Sequence, residues 1–271
     1  MRPFFENNVL QQQPFKPMII VVDTTKAGSA SNTFVLPIVK AASETVKIYW
    51  GDGTNSTGVN GNNTHVYAAS GVYTVKIESK IFGGLYFNNG GDKAKITKIA
   101  NYGQGVSRLN IGSFFGCSSL LSIDIGNIVS NGADASNQYR GCTALTTVPL
   151  LNLSSVTNAF AMFAYCAALT TVPLLNLSNC TSTRSMFFDC TSLTTIPLLD
   201  LSSVTDATNM FTGVTLTTQS YSDFLINLAT LPLQSGVSFH GGNSKYNPTA
   251  AIARAYLISN FGWTITDGGA A

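Results

Sequence analysis

A unit of 24 residues recurs through the middle of the chain and constrains its fold more than any other feature. Three close copies begin at Cys142, Cys166 and Cys190, and a looser copy begins at Cys117. One unit of this length cannot bury its own apolar face, so successive copies are expected to stack into a solenoid. Such a stack presents an extended surface and builds no cleft, which favours a binding or structural protein over an enzyme.

Apolar residues hold fixed places in each copy when positions are counted from its cysteine. Leucine occupies positions 3, 8, 9 and 11, valine or isoleucine occupies position 6, and a Met-Phe pair precedes the next copy. The resulting L-x-x-V-P-L-L-x-L run predicts a short strand. The Ser/Thr-rich segment that ends in Met-Phe predicts a helical or irregular return.

Composition narrows the class of protein further. Charged residues make up 10% and hydrophobic residues 45% of the chain, which fits a β-rich protein with a hydroxyl- and amide-covered surface and argues against disorder. Residues 1–110 carry eleven Lys/Arg against six Asp/Glu. These lysines alternate with apolar residues, so they are interpreted as solvated strand faces, with an electrostatic docking surface as the alternative. Nucleic-acid binding would need a denser basic stripe.

Neither a membrane span nor a signal peptide is visible. No stretch approaches the ~20 apolar residues of a transmembrane helix, and the N-terminus lacks a continuous apolar segment followed by a cleavage site. Residues 1–17 are rich in Gln, Asn and Pro, with Phe4, Phe5 and Phe15 interspersed. They are interpreted as an extended arm, which is either a disordered tail or a segment that docks on a partner.

Residues 18–80 are predicted to form a small β-sandwich of short strands separated by turns. Within it, Trp50-Gly51-Asp52-Gly53, then His65-Val66-Tyr67 and Gly71-Val72-Tyr73-Thr74-Val75, resemble the PKD-type immunoglobulin-like module. The resemblance implies that the WGDG segment closes a strand in a tight turn. Asp52 is a weak candidate for a Ca²⁺ ligand, and the alternative is that its carboxylate caps the backbone of that turn.

The rest of the chain divides into three parts. Residues 81–110 are a transition in which KITKIANYG is expected to be the first strand of the solenoid, residues 111–216 are the repeats, and residues 217–271 are a C-terminal cap. In the cap, Phe224, Leu225 and Leu228 have helical spacing, as do Ile252, Ala255 and Tyr256. The repeats and the cap resemble the leucine-rich repeats of BspA-type bacterial surface proteins. That family is often found with PKD-like modules and also occurs in phage structural proteins.

Candidate sites of chemistry are few. The cysteines that begin the copies stack along one edge and do not converge as metal ligands, so they are interpreted as buried free thiols, with a disulfide or a metal site as alternatives. Cys180 stands where the other copies have Val156 and Val204, so it is interpreted as a small buried hydrophobe. Asp189, Asp200 and Asp206 could approach one another, but Asp200 is matched by asparagine in the other copies, which disfavours a glycosidase-like carboxylate pair. We expect no cofactor and no catalytic residue.

The best candidate contact surface is a row of polar residues at position 10 of each copy: Asn152, Asn176 and Asp200. These residues lie between two apolar positions and should point outward, where they suit recognition of a sugar or a protein, or form a plain solvated face. A second candidate is the variable return of each copy, which contains Asn158, Arg184 and Asp206.

Taken together, these patterns predict a mainly β protein with some α: an Ig-like sandwich, a short leucine-rich-repeat solenoid and an α/β cap. The function that they favour is that of a non-enzymatic phage virion protein, a capsid decoration or tail-associated component. It would be made in the host cytoplasm and held by its arm or sandwich to other virion proteins. Host surface glycan or protein is an expected partner, and homo-oligomers are allowed. The alternative is a BspA-type adhesin on a bacterial cell surface, and a glycan-active enzyme is a distant third.

Overall fold

The computed structural model of this chain describes residues 16–40, 43–79, 83–102, 112–124 and 133–271. Within these ranges the protein is mainly β with two α-helices and several sheets. The predicted docking residues Phe4, Phe5 and Phe15 lie outside the described residues.

Nine strands precede or enter the repeats: β1 (Met18–Asp23), β2 (Thr33–Val39), β3 (Val46–Tyr49), β4 (Asn55–Gly58), β5 (Gly61–Val66), β6 (Val72–Glu78), β7 (Gly84–Leu85), β8 (Ile96–Tyr102) and β9 (Ser122–Ile123). One sheet has the order β4-β3-β6-β1-β8-β9, and a second has the order β5-β2-β7. Alternate residues of β1 and β2 are buried, and the buried residues of both strands belong to one hydrophobic core.

A buried ion pair fixes the turn before β2 to the short 3₁₀-helix Lys93–Lys95. The ammonium of Lys95 lies 3.8 Å from the Asp92 carboxylate and donates to the carbonyl oxygen of Thr33 at 2.7 Å. Asp92 in turn accepts from the backbone N–H of Val35 at 2.7 Å. Both charges are therefore buried with partners, as a stable interior requires.

Strand β8 joins the first part of the chain to the repeats. It pairs antiparallel with β1 and parallel with β9, which lies in the loosest copy. The sequence predicted a strand here that begins the stack, and the structure contains it. Because β8 pairs with β1 on one side and with β9 of the repeats on the other, the first sheet continues into the repeats.

Successive copies are joined by backbone hydrogen bonds along their return segments. The N–H of Ala161 donates to Arg184 O at 2.9 Å, and that of Phe163 donates to Met186 O at 3.0 Å. The L-x-x-V-P-L-L-x-L run is not a strand in the structure, which is a correction of the predicted element; it retains the isolated bridge Thr147↔Thr171. A proline at position 7 of each copy explains the difference, because it removes a donor from any ladder there.

The interior of the stack contains a column of five aromatic rings, one from each of the four copies and one from the segment just before the first copy. The rings are those of Phe114, Tyr139, Phe163, Phe187 and Phe211, and consecutive ring centroids lie 6.0, 5.6, 5.7 and 5.4 Å apart with nearly parallel planes. Each of these side chains is fully buried. Because equivalent positions carry a buried ring, the copies together build one continuous core along the stack.

The cap contains helices α1 (Thr218–Leu228) and α2 (Pro248–Phe261) and two short parallel strands, β10 (Ser238–His240) and β11 (Thr264–Thr266). Helix α1 buries Phe224, Leu225 and Leu228, as predicted. The predicted apolar face of α2 was wrong: Ile252 is 75% exposed, and Ala255 and Tyr256 are also exposed. The buried residues of α2 are Ala250, Ala253 and Leu257, because the small alanines let the helix approach its neighbour closely.

Candidate contact surface of the repeats

The predicted row at position 10 consists of side chains that cap their own turns. Oδ1 of Asn152 accepts from the hydroxyl of Ser154 at 2.7 Å, and Oδ1 of Asn176 accepts from that of Ser178 at 2.8 Å. Asp200 makes the corresponding bond with a backbone donor, the N–H of Ser202, at 2.9 Å. Asn152 and Asn176 are exposed and Asp200 is half-buried. The row lies at the surface, and at least one oxygen of each member is engaged in the fold.

The second predicted set lies in the return segments, and the structure brings two of its members together. Asp206 accepts from the N–H of Thr208 at 3.0 Å and lies 4.0 Å from Arg184. Asn158 is bonded elsewhere, since its amide donates to the carboxylate of Asp134 at 3.2 Å. Asp134, Asn158, Ser182 and Asp206 are equivalent residues joined by parallel bridges, so the returns form one polar row.

Threonine hydroxyls beside this row link one copy to the previous one. The hydroxyls of Thr157, Thr181 and Thr205 donate to backbone carbonyl oxygens 24 residues earlier, at 3.0, 3.0 and 3.1 Å. These hydroxyls therefore donate to hydrogen bonds within the stack. The surface beside them is regular because the same bond joins each copy to the previous one.

The cysteines are free and buried, with their thiols bonded to backbone. The sulfur atoms of Cys142, Cys166 and Cys190 donate to carbonyl oxygens at 3.3, 3.1 and 3.1 Å. Burial raises the pKa of the Cys190 thiol to about 12 and that of Cys180 to about 11. A raised pKa keeps a thiol protonated and unreactive, so these cysteines act as packing residues.

Asp52 lies in the turn after β3, and its carboxylate caps that turn. Oδ1 accepts from the N–H and the hydroxyl of Thr54 at 2.9 and 2.6 Å, and Oδ2 lies 2.7 Å from Nε2 of His65. Desolvation raises the pKa of Asp52, but the hydrogen bonds from Thr54 and His65 outweigh it and lower the pKa to about 2. This geometry fits the turn-capping interpretation. Among the residues that the structure describes, no three His, Cys, Asp or Glu side chains group as metal ligands.

A row of exposed leucines lies two residues before the row at position 10 and was missed in the sequence. Leu150, Leu174 and Leu198, at position 8 of each copy, are 66%, 60% and 50% exposed, whereas the leucines at position 9 are buried. The signal was present, because the alternation that points position 10 outward also points position 8 outward. At the last copy, Leu198 borders an open groove of about 700 Å³ against α1, lined also by Ile196 and Ile226.

Comparison with known proteins finds a family model that matches the repeat region. Residues 112–224 match the model of a family described as Mycoplasma protein of unknown function, DUF285. The match covers the repeats and reaches into α1, and it is consistent with the resemblance to BspA-type surface proteins. No curated protein and no solved structure matches the chain. Neither helix of the described ranges has the length and apolar character that a bilayer crossing requires.

Proposed function

We propose that this chain is a non-enzymatic display scaffold, and specifically a phage virion structural protein that decorates the capsid or belongs to the tail. In this proposal the two N-terminal sheets form a PKD-like Ig sandwich, and the stacked copies form a leucine-rich solenoid. The supporting observation is the ladder of backbone hydrogen bonds between copies, since it makes a stiff surface that holds side chains at fixed spacing.

The side chains with catalytic potential have structural partners, which supports the non-enzymatic part of the proposal. The carboxylates of Asp200 and Asp206 accept backbone N–H groups of their own turns. The thiols lie in the core with raised pKa values. Five unpaired thiols also suit a chain that folds in a reducing cytoplasm, as virion proteins do.

A bacterial cell-surface adhesin is the second candidate. The observation that favours it is the family match, whose description names a Mycoplasma protein. A glycan-active enzyme is a more distant candidate, because two of the three candidate carboxylates, Asp200 and Asp206, accept backbone N–H groups of their own turns.

Localisation tests the proposal directly. Mass spectrometry of density-purified phage particles should find the full chain at a fixed stoichiometry to the major capsid or tail protein. Deletion of residues 1–17, which contain the predicted docking arm, should release it from the particle without loss of folding. Recovery of the chain in a bacterial envelope fraction, with none in particles, would favour the adhesin. Hydrolysis of a polysaccharide by the wild-type chain that is lost in Asp206→Asn would overturn the non-enzymatic reading.

A further inference from the structure

An arginine is held between two aromatic rings on the surface of the return segments. The guanidinium carbon of Arg140 lies 5.2 Å from the ring centroid of Phe115 and 5.3 Å from that of Tyr165. The three residues come from three successive copies, so the stacking of the repeats brings them together. Rings on both sides restrict a guanidinium in orientation and leave its edge as the hydrogen-bonding side.

The charge of Arg140 is not neutralised by the described part of the chain. Nη1 donates to Oδ1 of Asn137 at 3.2 Å, and no described carboxylate forms a salt bridge with the guanidinium. In contrast, Arg184 lies 4.0 Å from Asp206, and Arg254 lies 2.8 Å from Asp267. A partly buried guanidinium with most of its five donors uncommitted favours an anionic ligand.

Tyr165 occupies a backbone position that glycine holds in other returns. The residue before each repeat cysteine, and before Val214 at the corresponding place after the last copy, has a positive φ: Gly116, Gly141 and Gly213 are glycines, Asp189 has φ 53°, and Tyr165 has φ 62°. Glycine adopts this conformation without cost and aspartate tolerates it, whereas a bulky side chain is disfavoured there. The side chain of Tyr165 is 40% exposed.

The site is small, and its walls combine aromatic rings with polar groups. Phe188 packs against Tyr165 with ring centroids 5.3 Å apart, and Phe160, Ala161 and Ser185 complete a shallow pocket of about 100 Å³ beside Arg140. An exposed ring face stacks on the apolar face of a sugar, and a guanidinium edge binds a carboxylate through two parallel hydrogen bonds. A pocket of this volume is close in size to a single sugar ring.

We infer that this slot, formed by Phe115, Arg140, Tyr165 and Phe188, binds an acidic sugar residue of a surface glycan. The sugar carboxylate would lie on the edge of Arg140, and the ring would lie against Tyr165 and Phe188. The inference deepens the proposed function, since it names a ligand class for the displayed surface. An acidic peptide is the competing source of a carboxylate and is a separate arm of the test.

Calorimetry or ligand-observed NMR on the full chain tests the inference, with trigalacturonate and sialyllactose as the two acidic-sugar probes. We expect one of them to bind, with at least a tenfold loss of affinity in Arg140→Gln. Arg140→Lys should also lose most of the binding, because lysine keeps the charge but not the planar fork. The matched control is Lys245→Gln, which removes one positive charge at an exposed position of the cap and should bind like the wild type.

Tyr165→Gly separates binding from folding. Glycine is the residue of three other copies at this position, so the variant should unfold at the same or a higher temperature than the wild type while losing the ligand. Wild-type affinity in Arg140→Gln or in Tyr165→Gly would overturn the inference, and so would failure of both acidic probes to bind. Equal binding of a neutral trisaccharide would refute the role assigned to the carboxylate, and stronger binding of a Glu-rich peptide would refute the sugar. Particle association should be unchanged in Arg140→Gln, so failure here and failure of the proposed function are distinguishable.

Discussion

Replacing two leucines of the same copy by alanine tests the phase of the repeat. Leu174 and Leu177 are three residues apart, but Leu177 is fully buried and Leu174 is 60% exposed. In the sequence both are leucines of the same L-L-x-L run, and the composition of the run does not distinguish them. The structure assigns one to the core and the other to solvent.

The two substitutions should therefore differ several-fold in free energy. Leu177→Ala removes a fully buried side chain and leaves a cavity that a stack fixed on both sides cannot close, so it should cost ~2–5 kcal/mol. Leu174→Ala removes a side chain that is two-fifths buried, so the transfer contribution is at most about 1 kcal/mol, with no enclosed cavity. The expected difference in the free energy of unfolding is about 2 kcal/mol or more.

Urea denaturation followed by circular dichroism measures both values, provided that the slope of the transition is unchanged between variants. A double variant should give the sum of the single costs within about 0.5 kcal/mol if the two side chains do not share a cavity. Equal costs for the two single variants, or a larger cost at Leu174, would refute the assigned phase of the stack. The same outcome would contradict the assignment of Leu174, and of its equivalents in the other copies, to the protein surface.

Four further expectations follow from the core and from titration. Phe163→Leu should lower the free energy of unfolding by ~1–3 kcal/mol, because it removes two ring contacts. Urea denaturation measures this loss, and Phe188→Leu, nearer the surface, should cost less. Equal costs for the two variants would contradict the stacked column. Cys180→Val should destabilise the protein by ~1–3 kcal/mol through overpacking. Adding Thr183→Ala should restore most of the lost stability, because the other copies pair Val with Ala and the Thr183 hydroxyl is buried without a partner among the described residues. If thermal melts show no recovery in the double variant, the two sites are independent. Because the pKa of Asp52 is lowered, its contribution to stability is complete above its unfolded pKa near 4 and is lost as pH falls through about 2. In melts at stepped pH, Asp52→Asn should lack this acid-dependent loss of stability. The same dependence of melting temperature on pH in the variant and the wild type would count against the turn cap. A thiol reagent should label none of the five cysteines in the native chain and all five in denaturant; a fast-reacting native thiol would contradict their burial.

The elements that the sequence predicted well are those in which burial follows one clear period. Alternation along MIIVVD and TFVLPIV places β1 and β2, and the apolar spacing of Phe224, Leu225 and Leu228 identifies the buried face of α1. Strand β4 was not predicted, because its residues, Asn55–Gly58, are polar or small and are held at the edge of the sheet by backbone pairing with β3. A strand of that kind leaves no apolar pattern in the sequence.

Two other features could not be read from the sequence for different physical reasons. Helix α2 has apolar residues on more than one face, so periodicity does not decide between Ile252 and Leu257 as the buried residue, and close packing of small alanines does. In the slot around Arg140, the position two residues before the repeat cysteine holds Phe115, Arg140 and Phe188 in different returns, and Tyr165 comes from the following position, so an alignment of the copies shows a variable position and not a contact. It becomes visible once the stack places Phe115, Arg140 and Tyr165 side by side.

Both ends of the stack are covered by other parts of the described chain. At the first end, the N–H groups of Phe87 and Asn89 donate to the carbonyl oxygens of Ser113 and Phe115, just before the loosest copy. At the other end, the column of rings stops at Phe211, where Phe224 and Phe239 meet the last ring at 80° and 75° and present no parallel face to a further copy. An open end would offer unpaired backbone groups and a flat ring to another chain, and both invite end-to-end polymerisation. In the described part of the chain, the exposed leucine row and the Arg140 slot are two lateral features that differ in chemistry, one apolar and one cationic, so the proposed display scaffold would offer two unlike contact surfaces.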